Sequence, residues 1–473
     1  MKRIIINAAQ AALWIYRCFV TRGKVAGIAL AIMVSACEID GIDPVDDNDE
    51  GEPPIALNPV ETRPGNGAGY QPAFAGQTRI SGVKTTTPIE TTLLVADAKL
   101  YKPWSFKFIS SSQIILAQKD GTMRIIGFKP NGLSIGEPLA GVPPVFFDQR
   151  ELDGTSNSAN AGLFDIALDP DFATNHLIYF SYSKGIGPSN RLTISKANLV
   201  IDGNKLVNVK EIYEVSHAHA GAEVYGGRLV FDREGYLMVT TGERHRNDSR
   251  YMSQNLNSSI GKILRLDRNG NPAPGNPFAG IQNALSEIWA LGIRSPLGLA
   301  FHPTTGVLWE TEHGPKGGDE LNIIEKGKNY GWPIISYGIM YDGTPVGQGI
   351  FPVSGSDPRE YRFEIENLIG GGITAQAGME QPRYYWDPAI APGGITFYTS
   401  TAIPEWKNNL FIAGLASKHL IRLIIRDDKV VGEERFMDQL GFRLRDVQQG
   451  PDGALYVVTD TPEGRIYRIG KAL

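Results

Sequence analysis

Few side chains in this 473-residue chain can take up a proton at neutral pH, and its seven histidines lead them. His217 and His219 stand in HAHAGAEVYGGRLVFDREG, just ahead of a glycine pair and a strand-like run. A histidine in such a loop is either a base facing a pocket or an ordinary loop side chain. A second stretch, WETEHGPKGGDELNIIEKGKNYGWP, sets His313, Gly314 and Pro315 after a strand, then Asp319 and Glu320 beside flexible backbone. Glycine lets carbonyls turn inward, and carbonyl oxygens with a carboxylate suit a hard cation such as Ca²⁺. A solvated glycine-rich turn has the same composition. Arg294, in LGIRSPLGLAF, precedes another strand, while Arg443 and Arg445, in GFRLRDVQQGPDG, share one face if extended. Paired guanidiniums suit a ligand rich in carboxylates, although surface arginines also serve solvation alone.

These residues are far apart in sequence, so the fold must gather them. A short apolar strand, a turn with Asp, Pro or Gly, and a second apolar strand recur six times, starting near Phe106, Ile166, Leu229, Leu299, Ile395 and Val447. Few stretches carry a helical period. Six units of one supersecondary type predict an all-β, six-bladed β-propeller, with a stacked β-sandwich as the alternative. Loops at one end of a propeller's channel converge on a single pocket.

Composition sets the surroundings. With a net charge of -5, a pI near 5.9 and scattered basic residues, the chain offers no basic surface for nucleic acid. Lys2, Arg3, Arg17, Arg22 and Lys24 precede the apolar run VAGIALAIMVSA, which ends at Cys37. The sequence VSAC resembles a bacterial lipobox, so residues 1–36 are expected to be a lipoprotein signal peptide and Cys37 the lipidated residue. An uncleaved anchor is the alternative. Residues 37–76, acidic and rich in Pro and Gly, are expected to form a tether, and 77–473 the propeller. The expected location is the periplasmic side of a bacterial membrane, the outer one, with lipid as the only membrane contact. Nothing fixes an oligomeric state.

Five segments together carry a family resemblance: RLVFDREGYLMVTTGE, SSIGKILRLDRNGNPAPGNPF, EIWALGIRSPLGLAFHPTTGVLWETEHGPKGGDELNIIEKGKNYGWP, MEQPRYYWDPAIAPGGITFYT and RLRDVQQGPDGALYVVTD. In this order they resemble the soluble PQQ-dependent aldose sugar dehydrogenases of the glucose/sorbosone dehydrogenase family, from about Thr78 to Ile469. The resemblance implies a six-bladed propeller, the quinone cofactor PQQ held over Ca²⁺, and oxidation of an aldose's anomeric hydroxyl to a lactone, with electrons passed to an external acceptor. It assigns the carbonyls of Gly314 and Pro315 to the cofactor's calcium, and Glu320 and Tyr330 to a second, structural calcium. Asn160, Arg294, Ser295, His313, Arg443 and Arg445 fall at cofactor positions.

The chain also departs from the pattern. The family's general base is a histidine four residues before the arginine of H-x-G-G-R or H-x-x-G-R; here the arginine is Arg228 and the position holds Val224. An apolar branched side chain cannot accept a proton. A cofactor lysine aligns with Ala416 and a hydroxyl with Ala389. His313 and Glu243, the latter matching the acid that orients the missing histidine, are the substitute candidates. His217 and His219, seven and five residues before Val224, are expected to be ordinary loop histidines. Two readings stay open: an active quinone-dependent dehydrogenase with a rearranged site, and a noncatalytic, lipid-anchored propeller that binds a carbohydrate, a quinone or a protein. A calcium-dependent lactonase is a third, for which the sequence offers no cage of inward carboxylates.

Overall fold

The computed structural model describes residues 57–67, 69–129, 132–148, 160–186, 189–246, 249–347 and 371–472. The expected signal peptide and Cys37 lie outside them. Among the described residues the repeated units become six sheets. Each sheet begins with a strand containing the start of one sequence unit: Pro103–Ser110, Leu163–Leu168, Gly226–Phe231, Pro296–Phe301, Pro392–Phe397 and Leu444–Gln449. These innermost strands pack against one another in ring order, the last against the first, and antiparallel strands run outward from each. The protein is therefore a six-bladed β-propeller, not a sandwich. Helix is confined, among the described residues, to the single turn Phe172–Asn175 and three short 3₁₀ segments.

Local chemistry accounts for the turns and the strands. In FDREGY, Asp232 Oδ1 accepts the N–H groups of Glu234 and Tyr236 at 2.9 Å each, and Gly235 takes φ +83°, which strains other residues. Strands such as Leu237–Thr241, Leu308–Glu312 and Leu455–Thr459 are buried along their whole length, because both faces of a blade meet a neighbour. In the fourth blade Trp309 and Leu321 pack on Ile395, Phe397 and Ile412 of the fifth, while Leu308 faces Met238 and Ile263 of the third. Alternation along each strand thus feeds two cores rather than one core and solvent.

The ring is closed by pairing distant ends of the chain. Ile89–Asp97 is the outermost strand of the sixth blade, antiparallel to Gly464–Lys471. The residues before it are tied down as well, although those from 57 to 76 fall in the expected tether. Leu57–Pro59 pairs with Ser81–Gly82, which pairs with Lys429–Phe436 of the fifth blade. The Glu61 carboxylate meets Arg63 at 2.8 Å and Arg435 at 3.1 Å, and the Asp387 carboxylate accepts the N–H groups of Asn66 and Gly67 at 2.7 Å. Glu405 accepts the N–H groups of Thr86 and Thr87 at 2.9 and 2.7 Å.

Two of these anchors are sensitive to acid. The Arg63 side chain holds Glu61 at a pKa of about 2, against burial and with help from Arg435. Burial pushes Glu405 up, but donors from Thr87 and Thr86 bring it to about 2. Both carboxyls have folded values below the ordinary 4.5, so their stabilisation is complete above pH 4.5 and lost as pH falls towards 2. Cleavage by an acid-active protease within residues 57–88 should accelerate over that interval. Replacing Glu61 and Glu405 by Gln should make the segment sensitive already at pH 6; a double variant as resistant as the parent would show that strand pairing alone holds it.

Candidate active site

One end of the channel carries a cavity of about 430 Å³. It lies where the innermost strands begin and the second strands end, so every blade can contribute to its wall. Trp104, Phe164, Gly226, Leu297 and Arg445 come from the first turns of innermost strands; His245, His313 and Leu415 follow second strands. The structure brings Asn160, Arg294, Ser295, His313, Arg443 and Arg445 into this one wall, together with Val224.

The cationic side is built from three guanidiniums. Arg445 is buried and donates to Asp460 at 2.8 Å; Arg443, half exposed, reaches the same carboxylate at 3.3 Å. Burial raises Asp460, but the charges of Arg445, Lys119 and Arg443 hold it well below the usual carboxylate range. Two cations thus share one anion. Arg294 Nη1 donates to the carbonyls of His313 and Gly314 at 2.7 and 2.8 Å, and its guanidinium lies 5.0 Å from the centre of the Trp332 ring. The Nε atoms of Arg294 and Arg445 are buried with no hydrogen-bond partner among the described residues. Such donors are costly unless a ligand meets them.

The cation positions are less open. Gly314 O, expected to face calcium, already accepts the Arg294 guanidinium, so an ion there would meet like charge until an anion draws Arg294 away. Asp319 organises this loop: its carboxylate takes the N–H groups of Gly314, Ile390 and Ala391, at 2.8, 2.8 and 2.6 Å. Burial pushes it up to about 7 against those donors. Tyr330 buries its ring between the third and fourth blades, where its hydroxyl accepts from Glu325 N at 2.8 Å and bonds Ile323 O. Glu320 joins Glu310 and Glu312 around Asn322 Nδ2, at 3.3, 3.3 and 3.4 Å. Burial, and for Glu310 and Glu320 the charge of Glu312, drives these carboxyls upward, Glu312 to about 7. Among the described residues no His, Cys, Asp or Glu group is arranged to hold a metal ion.

The candidate bases separate clearly. His313 Nε2 lies 2.8 Å from Pro392 O, so that nitrogen carries the proton. Desolvation, with the charges of Arg294, Arg445 and Arg443, pushes its pKa down to about 3, far from the range in which a general base is efficient. Glu243 is fully buried beneath the wall rather than in it; burial, opposed by Arg294 and Arg250, raises it to about 7. Neither of its carboxylate oxygens has a well-formed hydrogen bond among the described residues. His217 is exposed beside Ser216, and His219 lies in a short strand against Asn190; neither lines the cavity. A residue the motifs do not single out, His245, does line it, as do Glu223 and Tyr341. Ala389 and Ala416 do not line the cavity; their neighbours Ala391 and Leu415 do.

Fold and site together define a six-bladed propeller with a cationic cavity at its channel mouth, and its relatives are sugar dehydrogenases. The family model described as Glucose / Sorbosone dehydrogenase matches residues 100–468. Aldose sugar dehydrogenase YliI of Escherichia coli K12 is 34% identical over 393 residues, 82% of this chain and 95% of that protein. The solved soluble aldose sugar dehydrogenase of Escherichia coli, in its apo-form, superposes with a TM-score of 0.69 at 34% identity, covering 81% of this chain and 100% of that one. The PQQ-bound aldose sugar dehydrogenase of Streptomyces coelicolor shares the fold, with a TM-score of 0.59 at 24% identity over 82% of this chain and 99% of that one. The chain belongs to the glucose/sorbosone dehydrogenase family.

Position 224 carries a measurable strain. Val224 has φ +48°, a left-handed conformation that a β-branched residue rarely takes. Asparagine tolerates that region, whereas other residues lose about 1–2 kcal/mol there. Val224→Asn should therefore raise the midpoint of thermal unfolding; an unchanged or lower midpoint would show that packing of the isopropyl group outweighs the backbone.

Proposed function

We propose that this protein oxidises the anomeric hydroxyl of an aldose to its lactone, with PQQ as resident cofactor, and passes the electrons to an external acceptor. The convergence of Arg294, Arg443 and Arg445 on one cavity, with two buried Nε donors unmatched, carries this reading. Three guanidiniums facing apolar walls of Phe164, Leu297 and Leu415 suit a flat polycarboxylate. Bound there, PQQ supplies the two-electron acceptor for hydride from the sugar. Asp460 fixes the arginine pair, Asn160 and Ser295 offer polar edges, and the partly open rim beside Tyr341 leaves room for a sugar. Gly314 and Pro315 would supply carbonyls to calcium, Gly314 once Arg294 releases its oxygen to meet an anionic ligand, so ion and cofactor would bind together. Lipidation at Cys37 and a periplasmic location complete the reading, on the strength of VSAC alone.

Val224 favours a second reading, a propeller that binds in the old cavity without turnover. Titrating the purified protein with PQQ in excess Ca²⁺, then following dye reduction with a panel of aldoses, separates the two. Saturable binding with sugar-dependent reduction is expected. Hydrogen bonds to charged groups contribute about 1.5–3 kcal/mol, so Arg294→Met or Arg445→Met should each weaken PQQ binding about tenfold or more. Calcium without PQQ should show little binding. Failure of PQQ to bind at all would sink the proposal; binding without turnover would leave the second reading.

A further inference from the structure

We infer that His245 is the proton acceptor this chain uses in place of the histidine absent at position 224. The inference rests on reading the cavity as a sugar-oxidising site. Its foundation is a backbone pairing: Gly242 N donates to Tyr225 O at 2.8 Å, and Arg244 N to Val224 O at 3.1 Å. The next side chain, His245, therefore emerges beside Val224, and both line the same cavity. The base has moved to the neighbouring strand end while its place in the wall is kept.

Arg244 explains how the chain turns this way. Its guanidinium is drawn off the cavity by Asn190 Oδ1 at 2.7 Å and Gly221 O at 3.0 Å, and it stacks 3.9 Å from the Tyr225 ring centre. Left-handed φ values of +66° at Arg244 and +53° at His245 let consecutive side chains part, one into the scaffold and one into the cavity. Such outliers are strained and persist where the surroundings over-determine them. His245 keeps 34% of its side chain exposed, with Tyr341 edge-on at 6.1 Å between ring centres.

Behind the imidazole sits the group a proton acceptor needs. Glu243 Oε1 is 3.9 Å from His245 Nδ1, and both its carboxylate oxygens are buried without a well-formed hydrogen bond. An imidazolium formed at His245 would meet that carboxylate at once. The other charges facing His245 are Arg294, Arg250 and Glu223; burial first, then the two guanidiniums, lowers its pKa below 6.5, so its lone pair is available at neutral pH. His313 lacks this arrangement, its Nε2 being committed to Pro392 O.

The step balances as follows. His245 Nε2 would take the proton of the sugar's C1 hydroxyl as C1=O forms and the C1–H electron pair leaves as hydride, for which bound PQQ would be the two-electron acceptor. The proton on His245 would then leave to solvent along the exposed ring, and the hydride's own proton would be released as its two electrons pass to the external acceptor.

The test uses the full-length protein with PQQ and Ca²⁺. His245→Ala and the size-conserving His245→Gln should lower kcat by about 10²–10³-fold, leave PQQ affinity unchanged and abolish the acidic limb of the pH–rate profile. Added imidazole should restore part of the alanine variant's rate, and so should Val224→His introduced beside it. His313→Ala should leave that limb in place. A readout independent of turnover is the ¹⁵N imidazole spectrum of the seven histidines in cofactor-free protein, where an aldonolactone should shift one signal that His245→Gln deletes. Wild-type turnover and pH limb that survive loss of His245 overturn the assignment and leave sugar oxidation standing. A wild-type protein that binds PQQ, reduces no dye with any aldose and shows no lactone-dependent shift overturns sugar oxidation and the assignment together.

Discussion

Arg228, in the innermost strand of the third blade, donates through Nε to Leu297 O of the fourth at 2.6 Å. It lies 3.4 Å from Asp165 of the second blade, 3.1 Å from Asp446 of the sixth, and 4.4 Å from the Trp104 ring centre in the first. The fifth blade contributes by omission: a Cβ at Gly394 would overlap the Asp446 carboxylate and come within 2.7 Å of Arg228 Nη2. Six wedge-shaped sheets leave an axis too narrow for large side chains from every blade. A planar cation with five donors links them from one position. Buried charge of this kind is worth little against a well-packed apolar core, but removing one member strands the others. Asp446, already pushed up by burial, is the most exposed to such a loss.

That axial tie also divides the channel. On one side lies the cavity with its arginines; on the other, a separate space of about 290 Å³ lined by Lys107, Phe231, Phe301 and Phe397. The floor of the cavity is therefore scaffold, while its walls are strand ends and loops. Val224, Leu415 and Ala391 fall on the walls, away from the tie. The arginines and the His245 side chain thus reach the cavity from separate loops, and a change at one leaves the other's anchoring in place.

The fold was legible because each blade repeats one strand, turn and strand, and all six starting points fall inside innermost strands. The arginines were legible because motif positions fix them. His245 was not: neither arginine nor histidine announces a left-handed backbone, so TTGERH gives no sign that two neighbouring side chains diverge. Glu310, Glu312 and Glu320 were hidden differently. Their alternate spacing is visible in WETEHG and GGDE, but only strand register turns them to one face around Asn322. The docking of residues 57–76 was obscured by a composition that ordinarily signals a solvated tether, and it depends on partners more than three hundred residues away.

The strand that closes the sixth blade has a consequence for how the protein is made. Ile89–Asp97 emerges from the ribosome among the first parts of the domain, yet its partner, Gly464–Lys471, is among the last. Until the final segment is available, the early strand has neither edge paired and the ring remains open, a condition that favours pairing with other chains. The seam thus joins the synthesis of the domain to its completion: the circle cannot close until Gly464–Lys471 has been made.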